Sequence, residues 1–164
     1  MPKQSLLTHF VAVLLAAWAL SSFAETSDGS PTPVGEAKAV TGEVTATGVD
    51  GKVRRLTAGS PLFDGDLIRT GQAAKAGIMM TDRSTYTLKP NTELRIKEYR
   101  FRADAPEEDK STLSLVRGGF RFLTGLIGKR NPNKVAYETP VATMGIRGTE
   151  GELSYEKGTL RLHD

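Results

Sequence analysis

The chain has 164 residues, 22 of them basic and 19 acidic, with a net charge of +3 and no cysteine. Thiol catalysis, thiolate metal sites and acylation of a lipoprotein cysteine are thereby excluded. Histidine occurs only as His9, in the N-terminal apolar run, and His163, one residue from the last, so nucleophilic catalysis by a Ser-His or Cys-His couple is not expected.

The chain opens on a secretion pattern. Lys3 supplies a small positive region, Leu6 to Leu20 form an apolar run of 15 residues, and Ser22-Phe23-Ala24 places small residues where a signal peptidase reads them. The run is shorter than the ~20 residues needed to span a bilayer. Residues 1–24 are therefore expected to be a signal peptide cleaved after Ala24, with retention as an uncleaved anchor as the alternative. Cleavage would remove only Lys3 among the charges and leave 140 residues at a net +2. That length suffices for one domain with an adequate core, and disulfides are not needed even where an oxidising compartment permits them. Residues 25–38, rich in Ser, Pro, Gly and Thr, read as a disordered leader acting as a tether.

From Val40 the apolar pattern alternates with period two. Val40, Val44 and Ala46 are interleaved with threonines and Glu43, and Asp50-Gly51 closes a hairpin-like turn into Val53 to Thr57. In Phe63-Asp64-Gly65-Asp66-Leu67 two acids flank a glycine, which suits a turn in which carboxylates bond local amides. Ile78 and Met80 form the next strand, Asp82-Arg83-Ser84 turns the chain into Tyr86 and Leu88, and Pro90-Asn91 turns it again into Leu94 and Ile96. Ala103 to Lys110 reads as a solvated acidic loop. Leu113 and Leu115 precede a Gly118-Gly119 break, after which Phe120 and Phe122 continue the alternation, and one helical turn is expected near Leu123 to Ile127. Val135 and Tyr137, Leu153 and Tyr155, and Leu160 and Leu162 complete the series. The expected fold is all-β: a single domain over residues 39–164 whose short strands form an irregular solenoid-like stack or a sandwich, the two remaining open.

Residues 137–150, Tyr-Glu-Thr-Pro-Val-Ala-Thr-Met-Gly-Ile-Arg-Gly-Thr-Glu, specify a backbone path rather than a reaction. Pro140 ends a strand at Thr139, and Gly145 and Gly148 bracket Ile146-Arg147 with positions open to φ > 0. Ile146 is expected in the core, with Arg147 and Thr149 bonded to neighbouring backbone or a buried carboxylate. Taken with Gly65-Asp66-Leu67-Ile68-Arg69-Thr70-Gly71, with Leu88-Lys89-Pro90-Asn91-Thr92 and with Leu115-Val116-Arg117-Gly118-Gly119-Phe120, this stretch resembles the FecR-domain family of bacterial envelope proteins over residues 40–156. The resemblance implies a compact, β-rich periplasmic module. The best-known members join it to a cytoplasmic sigma-factor-binding segment through one membrane helix. Here only Met1 to Ser5 precede the apolar run, so this chain looks like a free-standing member.

Catalytic and ligand motifs fail on inspection. Gly125-Leu126-Ile127-Gly128-Lys129-Arg130 is only superficially like a phosphate loop, because Leu123 stands where the first glycine is required and Arg130 where Ser or Thr must follow the lysine. Zinc and EF-hand spacings are missing, so no cofactor or metal is expected. One electrostatic feature remains: Arg117, Arg121, Lys129, Arg130 and Lys134 lie among Phe120, Phe122 and Tyr137 with no intervening acid. In a cytoplasmic protein that mixture would suggest nucleic acid, which the secretion pattern argues against. These five residues are the candidate binding set, against the reading that they are a solvated face over core aromatics. The expected function is a non-enzymatic periplasmic or secreted module that recognises a periplasmic or membrane-protein partner or an envelope signal. Binding of an envelope glycan or anionic polymer is the alternative, and a carboxylate-dependent hydrolase ranks third.

Overall fold

A computed structural model describes residues 31–163. The expected signal peptide and the first part of the leader lie outside these residues. Thirteen strands make up the described chain: β1 (Gly35–Thr41), β2 (Val44–Thr47), β3 (Val53–Arg55), β4 (Pro61–Leu62), β5 (Leu67–Thr70), β6 (Lys75–Met80), β7 (Thr85–Leu88), β8 (Glu93–Arg100), β9 (Lys110–Leu123), β10 (Val135–Thr139), β11 (Ala142–Gly145), β12 (Glu150–Glu156) and β13 (Thr159–His163). The one α-helix among the described residues, α1, spans Leu126–Arg130, three residues beyond the expected start of a helical turn.

The strands form one curled sheet organised around β9. The first half of β9 pairs with β8 and β10, and its second half with β7 and β12. Two wings result, β3-β2-β5-β8-β9-β10-β11 and β4-β1-β6-β7-β9-β12-β13, with antiparallel pairing throughout except between β9 and β10. The all-β, single-domain expectation holds, and the arrangement is a half-barrel in which both wings share one strand. The chain crosses repeatedly between the wings, and their inward side chains meet in a single core: Val44, Ile68 and Leu94 from one side, Ala76, Ile78 and Leu153 from the other. Tyr86, Phe120, Phe122 and Tyr137 fill its centre edge to face, with ring centroids 5.0–6.1 Å apart along the Tyr86–Tyr137–Phe122 path.

Several local expectations hold. Gly51 takes φ +76° in the β2–β3 hairpin, Arg83 takes φ +66° between β6 and β7, and Asn91 takes φ +55° after Pro90. Others are corrected. The leader was expected to run to Lys38, yet β1 starts at Gly35, because Ala37 is fully buried and the Val34 amide donates to Leu62 O at 2.8 Å. The expected break at Gly118-Gly119 is a bend within a continuous strand. Gly118 takes φ +85°, and the pairing register with β8 shifts between Arg117 and Leu115, leaving Val116 as a bulge. Gly145 and Gly148 do not adopt left-handed φ: Gly145 closes β11, an unexpected edge strand that pairs with β10 as far as Thr139. Ile146 does enter the core.

Candidate functional site

The four family-like motifs converge on β9. Thr70 Oγ donates to Lys89 O at 2.6 Å and accepts the Thr92 amide at 2.9 Å; Thr92 Oγ then donates to Gly119 O and accepts the Gly119 amide, at 2.9 and 3.0 Å. Gly71 joins the same network, donating to Glu43 O and accepting from Asn91 N. Thr92 is fully buried, so these bonds form where unmet polar groups would be costly. Asp66 does comparable work at the Gly65 turn. Its carboxylate accepts the Phe63 amide at 2.9 Å and holds Arg54 at 2.5 Å, and Arg54 in turn lies 4.9 Å over the Phe63 ring. Asp64, whose carboxyl is raised by burial, accepts the Tyr99 amide at 2.8 Å. Asp66 thus bonds a local amide as the turn reading expects, whereas Asp64 reaches a distant one on β8 and corrects that reading.

Asp82 is the most heavily engaged side chain at the other end of the core. One carboxylate oxygen accepts the Ser84 amide (3.0 Å), the Ser84 hydroxyl (2.6 Å) and the Tyr99 hydroxyl (2.9 Å), while the other accepts the Ile127 amide at 3.2 Å. Its own amide donates to the Tyr99 oxygen. Gly125 is glycine for reasons of space, because a Cβ there would lie 2.3 Å from Ser84 N and 2.5 Å from the Asp82 carboxylate. Sequence reading assigned Asp82 only a turn.

Burial raises the hydroxyl pKa of Tyr86, Tyr99 and Tyr137 above the ordinary tyrosine value, and for Tyr99 the Asp82 charge adds to the effect. An unfolded tyrosine ionises near pH 10, whereas these three stay protonated in the fold. Their contribution is complete below pH 10 and is lost as pH rises above it. Stability should fall by up to ~1.4 kcal/mol per pH unit for each group. A thermal-melt series from pH 8 to 11.5, with tyrosinate absorbance followed in parallel, should show these three titrating together with unfolding.

The five candidate cations fall in two locations. Arg117 and Arg121 stand exposed on β9, and each is paired with a carboxylate, Glu93 at 2.9 Å and Glu150 at 3.2 Å. Lys129, Arg130 and Lys134 lie on or just after α1, and the last two contact the loop from Phe101 to Asp109. Lys134 donates to Glu107 O at 2.8 Å, and Arg130 sits 5.5 Å over the Phe101 ring and 3.7 Å from Asp109. That loop is not wholly solvated as expected: Asp109 is 2% exposed, accepts the Arg102 amide, and has one oxygen without a hydrogen bond. Arg130 is its nearby cation, so the two neighbouring reversals should differ. Lys129→Glu should leave the melting temperature within the usual ~0.5 kcal/mol of a surface change, while Arg130→Glu should cost ~1–3 kcal/mol by facing a buried carboxylate with another. Thermal denaturation of the two single variants decides this.

The Ile146-Arg147-Gly148-Thr149 loop has a structural and an exposed part. The Thr149 carbonyl accepts the Thr124 amide at 2.7 Å and the Gly148 carbonyl the Thr124 hydroxyl at 2.9 Å, while Arg147 is exposed and makes no hydrogen bond among the described residues. This loop and β13 line an apolar cleft of about 580 Å³ that contains Phe122, Ile146 and Leu162. On the opposite face of β12 and β13 a polar groove of about 430 Å³ runs over Gly118 and Gly119, between Lys89 and Arg161. Glu152 in this groove is ion-paired with Lys89. Pro140 is exposed at the β10–β11 turn, away from either lining.

The family model described as "FecR protein" matches residues 66–163, the stretch from Asp66 through β13. No curated protein and no solved structure matches the chain.

Proposed function

This chain belongs to the FecR family, and on that premise we propose that it is a non-catalytic signalling module that acts in the periplasm by recognising a protein partner or an envelope signal. The carrying observation is the family match, which spans more than half of the chain and covers the whole of β9 and every strand that pairs with it directly. The buried carboxylates are held for structure rather than for acid–base work: Asp66 and Asp82 are spent on backbone amides and on Arg54, Ser84 and Tyr99, which leaves them fixed in place as acceptors. Periplasmic placement rests on the apolar run and the Ser22-Phe23-Ala24 site. Mass spectrometry of the protein from its native host should find a soluble chain beginning near Glu25; a full-length chain in the inner membrane would reject the placement.

The alternative is an envelope polymer bound through the cations of β9 and α1. The ion pairs of Arg121 with Glu150 and of Arg130 with Asp109 weigh against it, as does Glu93, which Arg117 shares with Arg69. Crosslinking followed by capture from periplasmic extract, run beside cosedimentation with purified cell wall, separates the readings. A stoichiometric protein partner is expected. Sedimentation with the wall that survives protein removal and is lost in the Lys129→Glu variant would favour the polymer instead.

A further inference from the structure

Resting on the signalling reading, we propose that β13 is an acceptor edge that binds an extended segment of a partner protein in which apolar and acidic side chains alternate. Among the described residues four strands have a sheet neighbour on one side only: β3, β4, β11 and β13. Sheet edges are normally guarded by shortness, proline or charge. β3 has three residues, two of them arginine, β4 has two and begins with Pro61, and β11 has four. β13 has five, Thr-Leu-Arg-Leu-His, with neither proline nor glycine, and is the longest of the four.

Its two faces differ in a way that specifies the guest. Leu162 is 44% exposed and borders the apolar cleft beside Phe122 and Ile146, while Arg161 opens onto the polar groove on the other side. A strand added to β13 must alternate its side chains between these two surfaces. The residues over Leu162 gain by being apolar. Those over Arg161 gain by being acidic, because Arg161 forms no ion pair among the described residues and the nearby Glu152 is already held by Lys89. Glu156 and Lys157 at the groove mouth carry opposite charges and leave that balance in place. A second copy of this chain fits poorly. Antiparallel pairing centred on Arg161 would bring Leu160 against Leu162, but would set two arginines directly opposite each other.

The test uses the full chain and fluorescein-labelled nonapeptides: alternating valine and glutamate, alternating valine and lysine, and the first of these N-methylated on every backbone amide. The Val–Glu peptide should bind about tenfold more tightly than the Val–Lys peptide, and should slow amide hydrogen exchange at residues 159–163. The N-methylated peptide should not bind. Arg161→Glu should reverse the charge preference, and Leu162→Asp should abolish binding; if Leu162→Asp lowers the melting temperature, Leu162→Thr replaces it. Equal binding of the N-methylated peptide, unchanged exchange at β13, an unaltered preference in Arg161→Glu, or a concentration-dependent dimer occupying the edge would each overturn the proposal. Partner capture that persists undiminished in Arg161→Glu would remove the edge inference and leave the signalling reading standing, whereas no captured partner at all would remove that reading.

Discussion

Asp82→Ala should lower the melting temperature by ~10–20 °C, corresponding to a loss of ~3–5 kcal/mol. The carboxylate is 2% exposed and satisfies donors from three parts of the chain: the β6–β7 turn through Ser84, β8 through the Tyr99 hydroxyl, and α1 through the Ile127 amide. Alanine leaves each of these donors buried without a partner, at ~1–3 kcal/mol apiece before relaxation or water entry. Asp82→Asn should cost about half as much. It keeps the acceptor facing Ser84 and Tyr99 but turns an N–H toward the Ile127 amide, placing donor against donor. Thermal or urea denaturation measures both. A wild-type melting temperature for Asp82→Ala would mean that solvent replaces the carboxylate at no cost and that these contacts do not hold α1 to the sheet.

Gly118→Val should cost ~3–5 kcal/mol and impair folding before it affects any binding. Gly118 holds φ +85°, which a β-branched residue adopts only under strain, and a Cβ would lie 2.5 Å from both Cα and Oγ of Thr92 and 2.7 Å from Asn91 O. Backbone atoms cannot retreat as a flexible side chain would. Gly148, which the sequence singles out more strongly, makes the control. It has no left-handed φ, and an added Cβ would meet only Glu150 O at 3.5 Å, so Gly148→Ala should stay within ~0.5 kcal/mol of wild type. Denaturation curves that place the two variants in the opposite order would undo this account of the glycines.

These two glycines also mark where the sequence is legible. Turn chemistry reads well when the residue itself decides the conformation, as with Asp50-Gly51, Asp82-Arg83-Ser84 and Pro90-Asn91, and period-two alternation locates most of the strands. A glycine's φ is different, because the residue permits either sign and the surrounding pairing chooses. Gly118 is forced left-handed by β8 and Thr92, while Gly145 is drawn into an ordinary strand by β10. Strand partners are likewise fixed by contacts that local patterning does not encode, so β9 reads as two short strands although it is one. The weight on Asp82 is hidden for the same reason: Tyr99 lies 17 residues away and Ile127 lies 45. The candidate cations were visible as a run of charge. The pairing of Arg117 with Glu93 and of Arg121 with Glu150 was not, since it depends on which strands flank β9.

The position of β9 along the chain has a consequence for how the protein is made. Strands β7 and β8, from opposite wings, have no direct pairing with each other and are joined only through β9, whose second half is the last to be synthesised of the three. A chain that stops before Lys110 can form local hairpins such as β2–β3 and β6–β7, but it lacks the strand that joins the two wings into one sheet. Its apolar faces then stay open until the fourteen residues of β9 emerge and close several distant pairings at once. Assembly should therefore be late and abrupt as the chain emerges from the membrane, and the half-emerged chain is the species most in need of a chaperone.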